Sequence, residues 1–155
     1  MPKLDLAAIP VQRGTGYPRP YDAPCHAREQ QRLGDAAGLT RLGANLVRLP
    51  PGAWSSQRHW HTHEDELVWI VAGELVLVSE AGEDVLRAGD VAASPTGVAD
   101  GHHLQNRSSA DAVFLVVGNR DPADVGHYPD IDLAVRPNRY AAASFTAKDG
   151  SSRPG

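Results

Sequence analysis

Residues 59–66 read HWHTHEDE, and an apolar run, ELVWIVA, continues over 66–72. In a strand the side chains of residues i and i+2 share a face. His59 and His61 therefore project together, and His63 keeps the same parity. Glu66 lies five residues beyond His61, out of phase on one continuous strand, so the polar residues between them must turn the chain. His-x-His then ends one strand and Glu66 opens the next, with Val68 and Ile70 on its face. A second histidine pair stands in GHHLQN, residues 101–106, after Gly89-Asp90 and Pro95-x-Gly97, which signal a strand end and a tight turn. Two nitrogens from the first group, one carboxylate and one nitrogen from the second make a three-His, one-carboxylate set. That set suits one divalent transition metal (Fe, Mn, Ni, Co, Zn or Cu) and leaves positions open for water or substrate.

Outward from this stretch, short apolar runs recur at 44–49, 66–72, 75–79, 84–88 and 112–117, each bounded by Gly, Pro or polar turn residues. Runs of this length, rich in Val, Leu and Ile, read as the strands of an all-β sandwich or barrel. The stretch 98–105 is the one helical candidate between them, weakened by Gly97 and Gly101. Residues 1–40, punctuated by Pro10, Pro18, Pro20 and Pro24, read as an arm on the core with at most a short strand. Residues 119–155 start polar and end in KDGSSRPG, which reads as an extension with a mobile tail.

The chain has 155 residues, the length of one ordinary domain, with 41% hydrophobic residues. Its 15 basic and 19 acidic residues give a net charge of −4, which argues against a nucleic-acid partner. No run approaches the ~18 apolar residues of a membrane helix. One cysteine, Cys25, allows no internal disulfide, and the opening MPKLDLAAIP carries no signal-peptide run, so a cytoplasmic location is expected. No G-x-S-x-G, P-loop or dinucleotide fingerprint is present.

The two histidine groups resemble the motifs of the cupin superfamily, small jelly-roll barrels. The first motif, G-x5-H-x-H-x3/4-E-x6-G, is matched by Gly52, His59, His61, Glu66 and Gly73, with six residues rather than five after Gly52. The second, G-x5-P-x-G-x2-H-x3-N, is matched by Gly89, Pro95, Gly97, His102 and Asn106, with four residues rather than two before His102. The resemblance covers residues 52–106. It implies a single-domain cupin jelly-roll β-barrel with an N-terminal arm (1–40), a core (41–118) and a C-terminal extension (119–155). It implies metal ligation by His59, His61, Glu66 and His102. His61 with His63 is the alternative pair, disfavoured because Glu66 would then follow only two residues later. His103 is the alternative to His102, but only His102 has the spacing to Asn106. GHHLQNRS, VVGNR and HYPDIDL further resemble a subgroup of small bacterial cupins, some labelled sugar-phosphate isomerases. The implied function is metal-dependent catalysis on a small polar substrate, isomerase-like or dioxygenase-like. The alternative is a non-catalytic module that senses or stores a small ligand.

The remaining candidates have plainer readings. His26 and His127 are loop histidines, and Cys25-His26 is loop chemistry. Gly73, Gly89 and Gly97 serve turns at positive φ. Asn106 ties down a loop. Trp60 and Trp69 pack in a sheet-to-arm or subunit contact, and Trp54 has no assigned place. Arg48 and Arg58 form a solvated surface pair, although arginine forks also suit an anionic substrate. Tyr128, Asp130 and Asp132 anchor the C-terminal segment, with a pocket-covering or acid/base role as the alternative. The outward residues Leu67, Trp69 and Val71 need cover, so a homodimer is expected, with part of the arm in the contact.

Overall fold

The computed structural model describes residues 3–135, 137 and 145–153. Among the described residues fourteen strands run in chain order: β1 (Gln12–Arg13), β2 (Glu29–Arg32), β3 (Leu42–Leu49), β4 (Trp60–His61), β5 (Glu66–Ala72), β6 (Glu74–Ser79), β7 (Gly82–Arg87), β8 (Val91–Ser94), β9 (His103–Gln105), β10 (Ala112–Asn119), β11 (Gly126–His127), β12 (Ala134–Val135), β13 (Phe145–Thr146) and β14 (Ser152–Arg153). A four-residue helix, α1 (Leu33–Ala36), joins β2 to β3. Among the described residues no helix is long and apolar enough to cross a membrane.

The strands form three antiparallel sheets. One has the order β1-β2-β3-β10-β5-β8, a second β7-β6-β9, and a third β14-β13-β12-β11-β4. Alternation decides which way each strand faces. On β3, Val47 and Leu49 are buried while Arg48 is exposed; on β5, Val68 and Ile70 are buried while Leu67, Trp69 and Val71 are exposed. These inward residues pack with Phe114 of β10, Leu75 of β6 and Leu104 of β9, so one core joins the first two sheets into a jelly roll. A smaller cluster of Tyr128, Leu133 and Val135, with Tyr17 and Tyr21 against it, lies under the C-terminal sheet.

Gly73 sets the β5–β6 turn. Its φ is +77°, and a Cβ there would stand 2.7 Å from the Asp111 carbonyl oxygen and 2.8 Å from Ala112 Cα. Gly89 and Gly97 also take positive φ, 100° and 73°, as their turn reading expects.

Two expectations need correction. The stretch 98–105 is not helical: it contains β9, which pairs with β6, after a loop closed at Gly101 against Pro129. The N-terminal arm holds more than one short strand, because β1 and β2 extend the large sheet from the edge of β3. The expected mobile tail begins on residues that form a turn and β14, and its last two residues lie outside the described set.

Candidate metal centre

Backbone pairing places two of the histidines. His59 and His102 face each other across an isolated antiparallel bridge, with His59 N–H donating to His102 O at 3.2 Å and His102 N–H donating to His59 O at 3.0 Å. Directly opposed residues carry their side chains to the same face, and the two rings lie 5.5 Å apart. His61, two residues on, shares that face, and its ring stands perpendicular to His59 at 4.9 Å. Glu66 enters from the start of β5. The ligand atoms of His59, His61 and Glu66 all lie within 4.8 Å of one another. His102 stands outside that trio and adjoins it through Glu66, its Nε2 lying 3.6 Å from Glu66 Oε1.

Each of these imidazoles is oriented through Nδ1. His59 Nδ1–H donates to Gln57 O at 2.9 Å, and His102 Nδ1–H to Asp100 O at 3.0 Å. His61 Nδ1 meets Asp124 Oδ2 at 2.7 Å, and Asp124 is fully buried. Carbonyl and carboxylate oxygens accept, so Nδ1 carries the proton and Nε2 keeps its lone pair. His102 Nε2 is buried and has no hydrogen-bond partner. Burial, reinforced by the neighbouring His61, pushes His59 down to about 3. Burial pushes the Glu66 carboxyl up, but His102 and His59 prevail and hold it at about 2. Burial also lowers His102, yet the adjacent Glu66 carboxylate raises it overall. Neutral His59 and ionised Glu66 are the states a metal requires. Converging lone pairs, one of them buried without a donor, fit a divalent transition metal.

The alternative histidines lead elsewhere. His63 is exposed, and its Nδ1 contacts Thr62 Oγ1 at 2.7 Å. His103 is buried with both nitrogens used: Nδ1 faces Ser56 O and Nε2 faces the Gln105 amide, each at 2.9 Å. Trp54 packs edge-on against the His103 ring at 4.7 Å. A second group, His61, Glu64 and Asp124, shares His61, whose Nδ1 is already bonded to Asp124.

Other residues refine the earlier expectations. Trp60 stacks on His127 at 4.3 Å, so its partner is the C-terminal sheet rather than the arm or a second subunit. Arg58 is not a solvated surface residue: its side chain is 16% exposed, and its guanidinium forks onto Asp130 with two 2.7 Å bonds. Arg48 is exposed and pairs with Glu29 and Asp111. Asp132 accepts from Lys148 N–H, and Tyr128 stacks on His59 at 5.7 Å. His26 is exposed beside Asp22, and burial raises the Cys25 thiol to about 11. Asn106 is buried and donates to Leu49 O and Ala110 O, tying down its loop.

His59, His61, Glu66 and His102 line a cavity of about 870 Å³, together with Tyr17, Arg28 and Tyr128. Sequence reasoning missed Arg28, Tyr17 and Asp124 as parts of this site. Asp124 sits in the polar run DPADVG without any motif spacing, and only the pairing of β11 with β4 brings it to His61.

The Cupin domain family matches residues 45–118. The chain is similar to the crystal structure of a sugar phosphate isomerase of the cupin superfamily from Silicibacter pomeroyi, at 47% identity and a TM-score of 0.92 over 97% of this chain and 96% of that one. It is also similar to the structure of a candidate sugar phosphate isomerase from Acidithiobacillus ferrooxidans, at 29% identity and a TM-score of 0.72 over 79% and 78% of the two chains. Among curated proteins it is similar to an oxalate-binding protein of Thermotoga maritima, 38% identical over 78 residues. That match spans 50% of this chain and 60% of the relative's length.

Proposed function

The chain belongs to the cupin superfamily, and from that premise we propose that it is a metal-dependent enzyme of isomerase-like chemistry acting on a small, polar, anionic substrate. His59, His61, Glu66 and His102 hold one divalent transition metal. The observation that carries this reading is the shared orientation of the imidazoles, with Nδ1 engaged on each and His102 Nε2 buried without a partner. When bound, the metal supplies Lewis acidity toward a carbonyl, hydroxyl or carboxylate oxygen. The protein's own part is to fix the ring orientations through Gln57, Asp124 and Asp100. The Tyr128 ring stacks on His59 in the wall of the cavity. An anionic substrate agrees with the descriptions of the relatives, a sugar phosphate isomerase and an oxalate-binding protein. Isomerase-like chemistry is preferred to dioxygenase-like chemistry because the relative matched over nearly its whole length bears that description.

A second reading, a non-catalytic module that binds a small anion, is favoured by the description of the oxalate-binding relative. Metal analysis of protein purified without a His tag tests the centre itself. Turnover of a panel of sugar phosphates, sugars and keto acids by the metal-loaded protein separates the two readings. Binding without turnover selects the module, and absence of metal after loading removes the first reading. A second copy of this chain completes the proposal, docked on the outward face of β5.

A further inference from the structure

Arg28 is set just ahead of β2 with its backbone fixed on both sides. Its N–H donates to Cys25 O at 3.2 Å, and its carbonyl accepts from Gly14 N–H at 2.7 Å. Its side chain lines the cavity that holds His59, His61, Glu66 and His102. One terminal nitrogen donates to Gln30 Oε1 at 2.6 Å, whereas Nε is buried without a hydrogen-bond partner. Among the described residues no carboxylate lies within 4.0 Å of this guanidinium, while eight other arginines have one. Arg32 and Arg120 line the same cavity, but both are turned to Asp35.

A guanidinium removed from water without a carboxylate is costly, and neutral hydrogen bonds only partly offset that cost. Burial accordingly lowers its pKa. The guanidinium offers a planar fork of donors that matches a carboxylate or a phosphate group. Tyr17 stands in the same wall, half-buried, with its ring edge against Tyr128 and its hydroxyl pKa raised, chiefly by burial.

We propose that Arg28 is the anion anchor of this cavity, receiving the carboxylate or phosphate of a small substrate whose oxygen-bearing other end faces the histidine cluster. The proposal rests on the reading of that cavity as a substrate site. It makes the N-terminal arm part of the specificity machinery, because residue 28 precedes the strand that joins the arm to the large sheet.

The test uses untagged full-length protein, both loaded with Mn(II) and metal-free, titrated calorimetrically with glycerol 3-phosphate, glycolate and glycerol. One of the two anions should bind well above glycerol, and which one does so identifies the phosphate or the carboxylate as the anchored group. Arg28→Met should weaken that anion about 10–100-fold, the loss expected for a charge-assisted bond, and leave metal content unchanged. Arg28→Lys, which keeps the charge but not the fork, should fall between them. Without anion, Arg28→Met should melt at or above the wild type, since it removes a half-buried charge that no carboxylate pairs. Saturating anion should raise the wild-type melting temperature and leave that of Arg28→Met unmoved. A merely structural arginine would instead lower the melting temperature of the ligand-free variant, with anion affinity intact; that result, or failure of both anions to bind, overturns the proposal. If Arg28→Met does not fold, Arg28→Lys carries the same comparison. Anion binding that depends on Arg28 in a protein that takes up no metal would remove the metal centre while leaving the anchor in place.

Discussion

A ligand imidazole and its neighbour differ in what their substitution removes. His59→Ala, His61→Ala, Glu66→Ala or His102→Ala each deletes a donor atom and should sharply cut the metal retained after dialysis. His63→Ala and His103→Ala should retain it, because one ring is exposed and the other has both nitrogens engaged. Asp124→Ala leaves every donor but frees the His61 ring, so retention should fall by an intermediate factor, about 10–100-fold in affinity. Metal content measured beside circular dichroism checks all seven; a full site in His59→Ala with an empty one in His63→Ala would move the ligand pair to His61 and His63. Acid behaviour is also local. The Arg58 guanidinium holds the Asp130 carboxyl below its ordinary value. A depressed folded pKa stabilises the protein above the unfolded value near 3.9 and is lost as pH falls through the folded one. The gap in melting temperature between wild type and Asp130→Asn should therefore be open at pH 7 and narrow as the pH falls below the ordinary carboxylate value of about 3.9; a gap that persists unchanged into strong acid would show that the ion pair is not its cause. The histidine cluster was legible because strand parity and motif spacing are local properties of the chain. Asp124 and Arg28 were not, because each reaches the site through tertiary pairing, Asp124 from 63 residues beyond His61.

Strands legible in the sequence are the short apolar runs bounded by turn residues, and in two of them burial also alternates. The run 66–72 coincides with β5, and 112–117 lies within β10, because inward Val68, Ile70, Ala112 and Phe114 alternate with less buried neighbours. β2 was not legible because EQQR carries no apolar residue to mark a face. It forms because β3 offers an open edge, and the Gln31 amide donates to Leu6 O and Ile9 O, holding the arm against it. β9 was obscured by Gly101 and by two adjacent histidines, a pattern that signals neither period. At this scale packing supplies a direct test. Ile70 is fully buried in the core between the sheets, so Ile70→Ala should destabilise by about 2–5 kcal/mol. Gly73→Ala combines left-handed backbone with a contact to Ala112 Cα and should cost at least about 1 kcal/mol. Urea unfolding with an unchanged m-value measures both; a change under 1 kcal/mol for Ile70→Ala would mean the core is not packed as described.

Seen whole, the molecule has an inner surface of the large sheet that is covered and an outer surface that is not. Cross-strand register aligns Leu46, Leu115, Trp69 and Val91 in one row across β3, β10, β5 and β8. Leu67, Trp69, Val71 and Val91 remain exposed, with Trp69 at 46% and Val91 at 57%. The arm adds exposed Leu6 and Val11. Scattered apolar residues on a surface need no partner, but a contiguous row across four strands is the pattern of an interaction site. A second copy of the same face is the simplest cover, since a two-fold axis makes the patch its own complement. Light scattering at micromolar concentration should therefore give about twice the 16.6 kDa chain mass. Trp69→Lys places a charge at the middle of the row without touching the core, because the side chain points away from Val68 and Ile70. That variant should remain folded by circular dichroism, keep its metal, and scatter as a single chain. A wild type that scatters as one chain at those concentrations would sink the dimer. A Trp69→Lys protein that still pairs as tightly would place the contact on another face.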